Sequence, residues 1–140
     1  MSEYKTPARR IVEAFGDCAA LAEMYADDIN WRLNYSLPEN IAGPHVGKAA
    51  VTAFNDAVFN KIYDGASIHV VIHDELGDED SSVVRFDLHG VSRRGHSYDV
   101  EYVLFAKTRE GLVFDVVELL DTKASTEQHQ GNAVGLPPGS

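Results

Sequence analysis

The stretch Val83-Val84-Arg85-Phe86-Asp87-Leu88-His89 sets an arginine and a carboxylate two residues apart. Side chains alternate along a strand, so Arg85, Asp87 and His89 share one face and Val84, Phe86 and Leu88 the other. Two arrangements are open. Either the apolar trio meets the core and the charged trio meets water, or Arg85 and Asp87 point into a cavity. In the second, the guanidinium orients the carboxylate and favours its charged form, a setting for acid–base work.

The histidines carry weaker signals. His69 and His73 are four apart on a strand, hence on one face but about 13 Å apart, too far to share a metal. The acidic run 74–80 lacks the spacing of a calcium loop. No metal site is expected. His45, in the loop Gly43-Pro44-His45, is a candidate for a pocket mouth, although a surface role is the default for it and for His96. Cys18 is the only cysteine and lies in an apolar helical stretch, so it is expected to be a buried structural thiol rather than a nucleophile. There is no nucleophile elbow, phosphate-cradling glycine loop or dinucleotide fingerprint, and no cofactor is expected.

The elements that must position these groups can be read from capping and periodicity. Thr6-Pro7 opens a helix that Gly16 ends, and Asp17 caps a second that Asp27-Asp28 closes. Residues 29–35 alternate as a strand with Ile29, Trp31, Leu33 and Tyr35 on one side. A loop with two prolines follows. Residues 48–63 then form a helix whose Val51, Phe54, Val58 and Ile62 make one face. Four strand runs come next, 67–73, 82–91, 96–107 and 112–120, joined by short turns that imply an antiparallel meander. After Asp121 the composition turns to Gln, Gly, Pro and Ser, which reads as a tail over 123–140. Helices that precede a long twisted sheet must cover one of its sides. The fold class is therefore α+β, a single domain over 1–122 with one central apolar pocket. Trp31 and Tyr35 are the aromatic residues expected in its walls.

Composition bounds the partners. The chain has 140 residues and a net charge of −10, which disfavours nucleic acid and anionic lipid. No run approaches the roughly 18 apolar residues of a membrane span, and the N-terminus lacks an apolar signal region, so a cytoplasmic protein is expected.

Three segments carry a family resemblance: Leu21-Ala-Glu-Met-Tyr-Ala-Asp-Asp-Ile-Asn-Trp31, Ile41-Ala-Gly-Pro-His-Val-Gly-Lys-Ala-Ala-Val51, and the hairpin from Tyr98 to Thr122. In this order and spacing they resemble the SnoaL-like, ketosteroid-isomerase-like branch of the nuclear-transport-factor-2-like superfamily. The resemblance implies a cone-shaped curved antiparallel sheet wrapped around N-terminal helices, frequent homodimers, and activities from isomerase and cyclase to hydrolase, alongside non-catalytic binders. Arg85-Phe86-Asp87 is similar to the Arg-x-Asp strand of limonene-epoxide-hydrolase-like members. That similarity implies Asp87 as principal acid/base, Arg85 as its orienting group, and Glu118 or Asp121 as second carboxylate. Where those hydrolases hold the attacking water with a Tyr and an Asn two apart, this chain has Trp31-Arg32-Leu33. The isomerase pattern of an Asp base with a Tyr donor is met equally by Tyr25, Tyr35, Tyr63 and Tyr102. Trp31, Tyr35, His45 and Tyr102 are the expected substrate contacts. The functional expectation is cofactor-free acid–base chemistry on an apolar cyclic or polyketide-like molecule. The alternatives are a non-catalytic binder and a dimeric assembly module joined through the sheet, with Val103 and Phe105 covered by a second copy.

Overall fold

The computed structural model describes residues 4–130. Thr6 caps α1 (Pro7–Glu13) by accepting the Arg9 N–H, and Asp17 caps α2 (Cys18–Glu23) by accepting the Ala20 N–H, as the sequence predicts. The chain then enters β1 (Tyr25–Arg32), which starts earlier than alternation indicates, so Asp27 and Asp28 lie inside the strand rather than closing α2. Ile29, Trp31 and Leu33 are buried. After α3 (Glu39–Ala42) and the short β2 (His45–Val46), α4 (Lys48–Asp56) runs on into a π-helical turn over Ala57–Ile62.

The meander is built from β3 (His69–Gly77), β4 (Ser81–Val91), β5 (Ser97–Arg109) and β6 (Leu112–Leu120), each antiparallel to the next. The full order is β2-β1-β6-β5-β4-β3. One pair departs from an all-antiparallel sheet: β1 runs parallel to β6, with Trp31 opposite Val116. No tight turn ties β1 to the meander; a long crossover through α3 and α4 sets its direction. α1 packs on β3, β4 and β5, and α4 packs on β1, so the curved sheet wraps the helices as a cone.

The supposed tail is ordered structure at its start. Thr122–His129 form α5, capped by Asp121, which accepts the Ala124 N–H; the helix packs on β5. It buries only Ala124 and Ser125, too narrow a stripe to show as apolar periodicity. The rest of the expected tail, 131–140, lies outside the described residues.

The faces of β4 settle the arrangement left open above. Val84, Phe86 and Leu88 are buried against the helices, and Arg85, Asp87 and His89 are on the outer face. Burying each large apolar side chain contributes roughly 1.5–3 kcal/mol. The opposite register would strip water from Arg85 and Asp87 at a cost that a pair seldom recovers. We expect Phe86→Ala to lower unfolding free energy by about 3–5 kcal/mol and Asp87→Ala by less than about 1 kcal/mol, read by urea denaturation. Similar costs for the two would reverse the assignment of faces.

Candidate functional site

Between the inner face of the sheet and α4 lies a cavity of about 360 Å³. Trp31, Leu88, Tyr102, Glu118 and Leu120 supply its sheet wall, and Phe54, Asn55, Phe59 and Ile62 its helical wall. Leu37, Pro38 and Ile41 of the α3 region and Ser125 and His129 of α5 close it further. Glu118 is the one carboxylate among the lining residues.

Glu118 faces inward because β6 alternates around Val116 and Leu120, and its strand partner on β5 is the buried Leu104. Its residue exposure is 6%. The Trp31 Nε1–H donates to Glu118 Oε1 at 3.1 Å across the parallel β1–β6 pair. Burial pushes the carboxyl up to about 7, and the indole donor offsets only part of that. Its Oε2 has no protein partner among the described residues.

A second polar group lies across the cavity. Asn55 is buried on the apolar face of α4, and its Oδ1 accepts from the Tyr25 hydroxyl at 2.6 Å. Its Nδ2 has no protein partner among the described residues, so it is a donor available to an oxygen in the cavity. A chain of hydroxyls bounds the far wall: Tyr102 Oη and Tyr98 Oη lie 2.7 Å apart, and Tyr98 Oη and Ser125 Oγ also 2.7 Å. Burial raises the phenols of Tyr63, Tyr98 and Tyr102, so they remain protonated donors at neutral pH. Tyr63 Oη stands 2.9 Å from Nε2 of His129, whose ring burial and nearby His96 keep neutral.

Several expectations are corrected here. Asp87 is outside the cavity, its side chain 30% exposed and 2.8 Å from His73 Nε2. Arg85 bonds Asp74 at 2.6 Å and Glu101 at 2.9 Å on the same outer face. Asp121 is exposed and occupied as the α5 cap. Tyr35 is 69% exposed with Arg32 stacked over its ring, because β1 ends before it. His45 stacks on Phe54 with centroids 3.9 Å apart, behind the wall rather than in it. Trp31, Tyr102 and Glu118 do line the cavity. The two-carboxylate arrangement of an epoxide hydrolase is therefore not assembled. Cys18 is half-buried rather than buried, and burial with Asp56 and Asp17 nearby pushes its thiol up, away from an activated state. On the outer face, Asp87, His89 and Asp99 bring ligand-type atoms within 4.8 Å of one another, where His73 already meets Asp87 and His89 meets Asp99.

Asn55, Tyr98, Ser125 and His129 were missed. Asn55 had a signal: a polar residue four positions after Val51, on the helix's apolar stripe. Tyr98 shares parity with Val100, Tyr102 and Leu104. Ser125 and His129 had none, since α5 lacks an apolar stripe.

Residues 8–116 match the profile of the SnoaL-like domain. No curated protein matches the chain. Among solved structures it is similar to an NTF2-like protein of unknown function from Burkholderia pseudomallei (20% identity, 86% of this chain and 92% of that one, TM-score 0.74). It is also similar to a protein of ketosteroid isomerase-like fold from Catenulispora acidiphila in complex with trimethylamine (15%, 96% and 100%, 0.72). A third is a provisionally named SnoaL-like polyketide cyclase from Jannaschia (19%, 98% and 100%, 0.69). At these identities the likeness is one of fold. None of the described helices is long and apolar enough to cross a membrane.

Burial of Glu118 makes stability depend on pH. Its folded value of about 7 lies above the ordinary 4.5. Below pH 4.5 the group is protonated in both states and costs nothing. Between 4.5 and 7 the unfolded chain releases a proton that the folded chain keeps, so stability falls as pH rises. The loss is complete above 7, on the order of 3 kcal/mol. We expect Glu118→Gln to gain that much relative to wild type between pH 4.5 and 8, measured by urea unfolding at both ends. A constant difference would mean that the carboxyl does not titrate in this window.

Proposed function

The chain belongs to the SnoaL-like domain family, and from that premise we propose that it is a cofactor-free acid–base enzyme acting on an apolar cyclic or polyketide-like carbonyl compound, with Glu118 as its single proton carrier. One observation carries the reading: a lone carboxyl, lifted to about 7, stands in a mostly apolar cavity. Such a group is divided between its two forms at neutral pH, the condition in which one side chain both removes and returns a proton. Ionised Glu118 takes a proton from the carbon next to a carbonyl, and the electron pair moves onto the carbonyl oxygen as an enolate. Neutral Glu118 then gives the proton back at another carbon, for an isomerase. In a cyclase, the enolate carbon attacks a second carbonyl of the same molecule, and the proton goes to the alkoxide so formed.

The developing oxyanion needs donors in a dry site. Asn55 Nδ2 and the Tyr102 hydroxyl are the candidates among the lining residues. Trp31 takes a positioning role: its indole fixes Glu118 Oε1 and leaves Oε2 for the substrate. The apolar walls supply binding and keep the carboxyl's affinity for its proton high.

A binder of the same compounds is the second reading. It is favoured by the hydrogen-bonding capacity of Glu118 and Asn55 and by the presence of one cavity carboxyl rather than two. In either case the outer sheet face, where Phe105 and Val71 are exposed and Val103 is half-buried, is the surface we assign to a second copy. Sedimentation equilibrium should then give twice the chain mass, and Phe105→Glu should halve it.

The test of function is a thermal-shift screen against steroid enones, epoxides and polyketide-like aromatics, followed by turnover assays. Ligand at about 100 times its dissociation constant stabilises by roughly 2.7 kcal/mol. We expect hits in wild type and Glu118→Gln alike, turnover lower by about 10²–10⁴-fold in the variant, and kcat/KM rising with pH through an apparent value near 7 as the base ionises. Asp87→Asn should behave as wild type. Hits without turnover in any protein would establish the binder, and full turnover in Glu118→Gln would remove Glu118 from the chemistry.

A further inference from the structure

The turn between β4 and β5 holds two arginines with different fates. Ser92 N–H donates to His96 O, Gly95 N–H to Ser92 O, and Gly95 takes the left-handed φ of 84° that closes the turn. Arg93 is committed: its backbone N–H donates to Ile62 O at 2.8 Å and its Nε to Asn60 O at 3.1 Å, which pins the turn to the π-helical segment. Arg94 is not. It lines the cavity and makes no ion pair or side-chain hydrogen bond among the described residues. Arg9, Arg10, Arg85 and Arg109 each meet a carboxylate. Arg94 is exposed at the turn, and its guanidinium, beside the cavity, is without a protein partner among the described residues.

We infer that the cavity's ligand carries an anionic group, a carboxylate, sulfonate or ionised enol, which Arg94 pairs with at the mouth while the reacting end lies at Glu118. This rests on reading the cavity as a ligand site. The charge pattern supports it. Glu118 is the one carboxylate among the lining residues and Arg94 the one guanidinium. The remaining surface repels anions, and Arg94 supplies the local positive potential that draws one to the mouth. Its planar fork fits a carboxylate or sulfonate through two parallel hydrogen bonds, which a lysine cannot match.

Two dyes of one scaffold test this: anionic 8-anilino-1-naphthalenesulfonate and neutral N-phenyl-1-naphthylamine, titrated by fluorescence into wild type, Arg94→Gln and Arg94→Lys. We expect both to bind wild type and to compete. Arg94→Gln should weaken the sulfonate dye roughly five- to tenfold and leave the neutral dye within about twofold, with Arg94→Lys between. Added salt should weaken only the anionic dye, and only where position 94 is charged. If Arg94→Gln binds both dyes as wild type does, or loses both equally, the anion-pairing role is overturned while the cavity reading stands. The same follows if the neutral dye fails to displace the anionic one. If neither dye binds wild type, the cavity reading falls and this inference with it.

Discussion

The Trp31–Glu118 hydrogen bond is the interaction on which the rest of the site depends. It joins β1 to β6 at the one parallel pairing of the sheet, and it gives the buried carboxyl the single hydrogen-bond partner it has among the described residues. An isolated carboxylate in such a place is costly, and the protein meets the cost by letting the group hold its proton to about pH 7. A stronger set of donors would restore an ordinary acid. An aliphatic side chain in place of Trp31 would leave the carboxyl with no protein partner. The intermediate arrangement leaves a proton that can come and go.

The sheet divides its charges between two faces in a way that protects this arrangement. On the outer face Asp74, Arg85 and Glu101 form one linked set, His73 and Asp87 another, and His89 with Asp99 a third. His69 stacks on His89 with ring centroids 4.7 Å apart. These pairs are solvated, and each adds little to stability. On the inner face Glu75 of β3 is met by Thr6 and Arg9 of α1, which leaves Glu118 as the one strand carboxyl among the lining residues of the cavity. The same alternation that makes β4 half apolar thus keeps Asp87 out of the cavity.

α5 completes the enclosure. Ser125 ends the hydroxyl chain that begins at Tyr102, and the His129 ring packs tilted against Tyr63 and Tyr98 with centroids 5.4 and 5.0 Å away. The helix contributes polar atoms to a wall built mostly of apolar ones. Its sequence, Thr-Lys-Ala-Ser-Thr-Glu-Gln-His, therefore has the look of a solvated segment. Burial of a phenol or hydroxyl is tolerated only with a partner, so the tyrosines of β5 and the serine of α5 require one another.

The sequence by itself determined the helix caps at Thr6 and Asp17, the four-strand meander, the apolar face of α4, and the family, because these depend on local spacing and short-range turns. It also named Trp31, Tyr102 and Glu118 among the site candidates, Glu118 through the family resemblance and Tyr102 without a spacing that set it apart from the other tyrosines. It did not decide which face of β4 was the inner one, since an alternating strand reads equally well either way until the helices choose a side. Nor did it decide that β1 would run parallel beside β6 and put an indole against Glu118, because that contact spans 87 residues of chain. Tertiary structure separated the two candidate carboxyls by the simplest means: it buried Glu118 in the cavity wall and left Asp87 on the outer face.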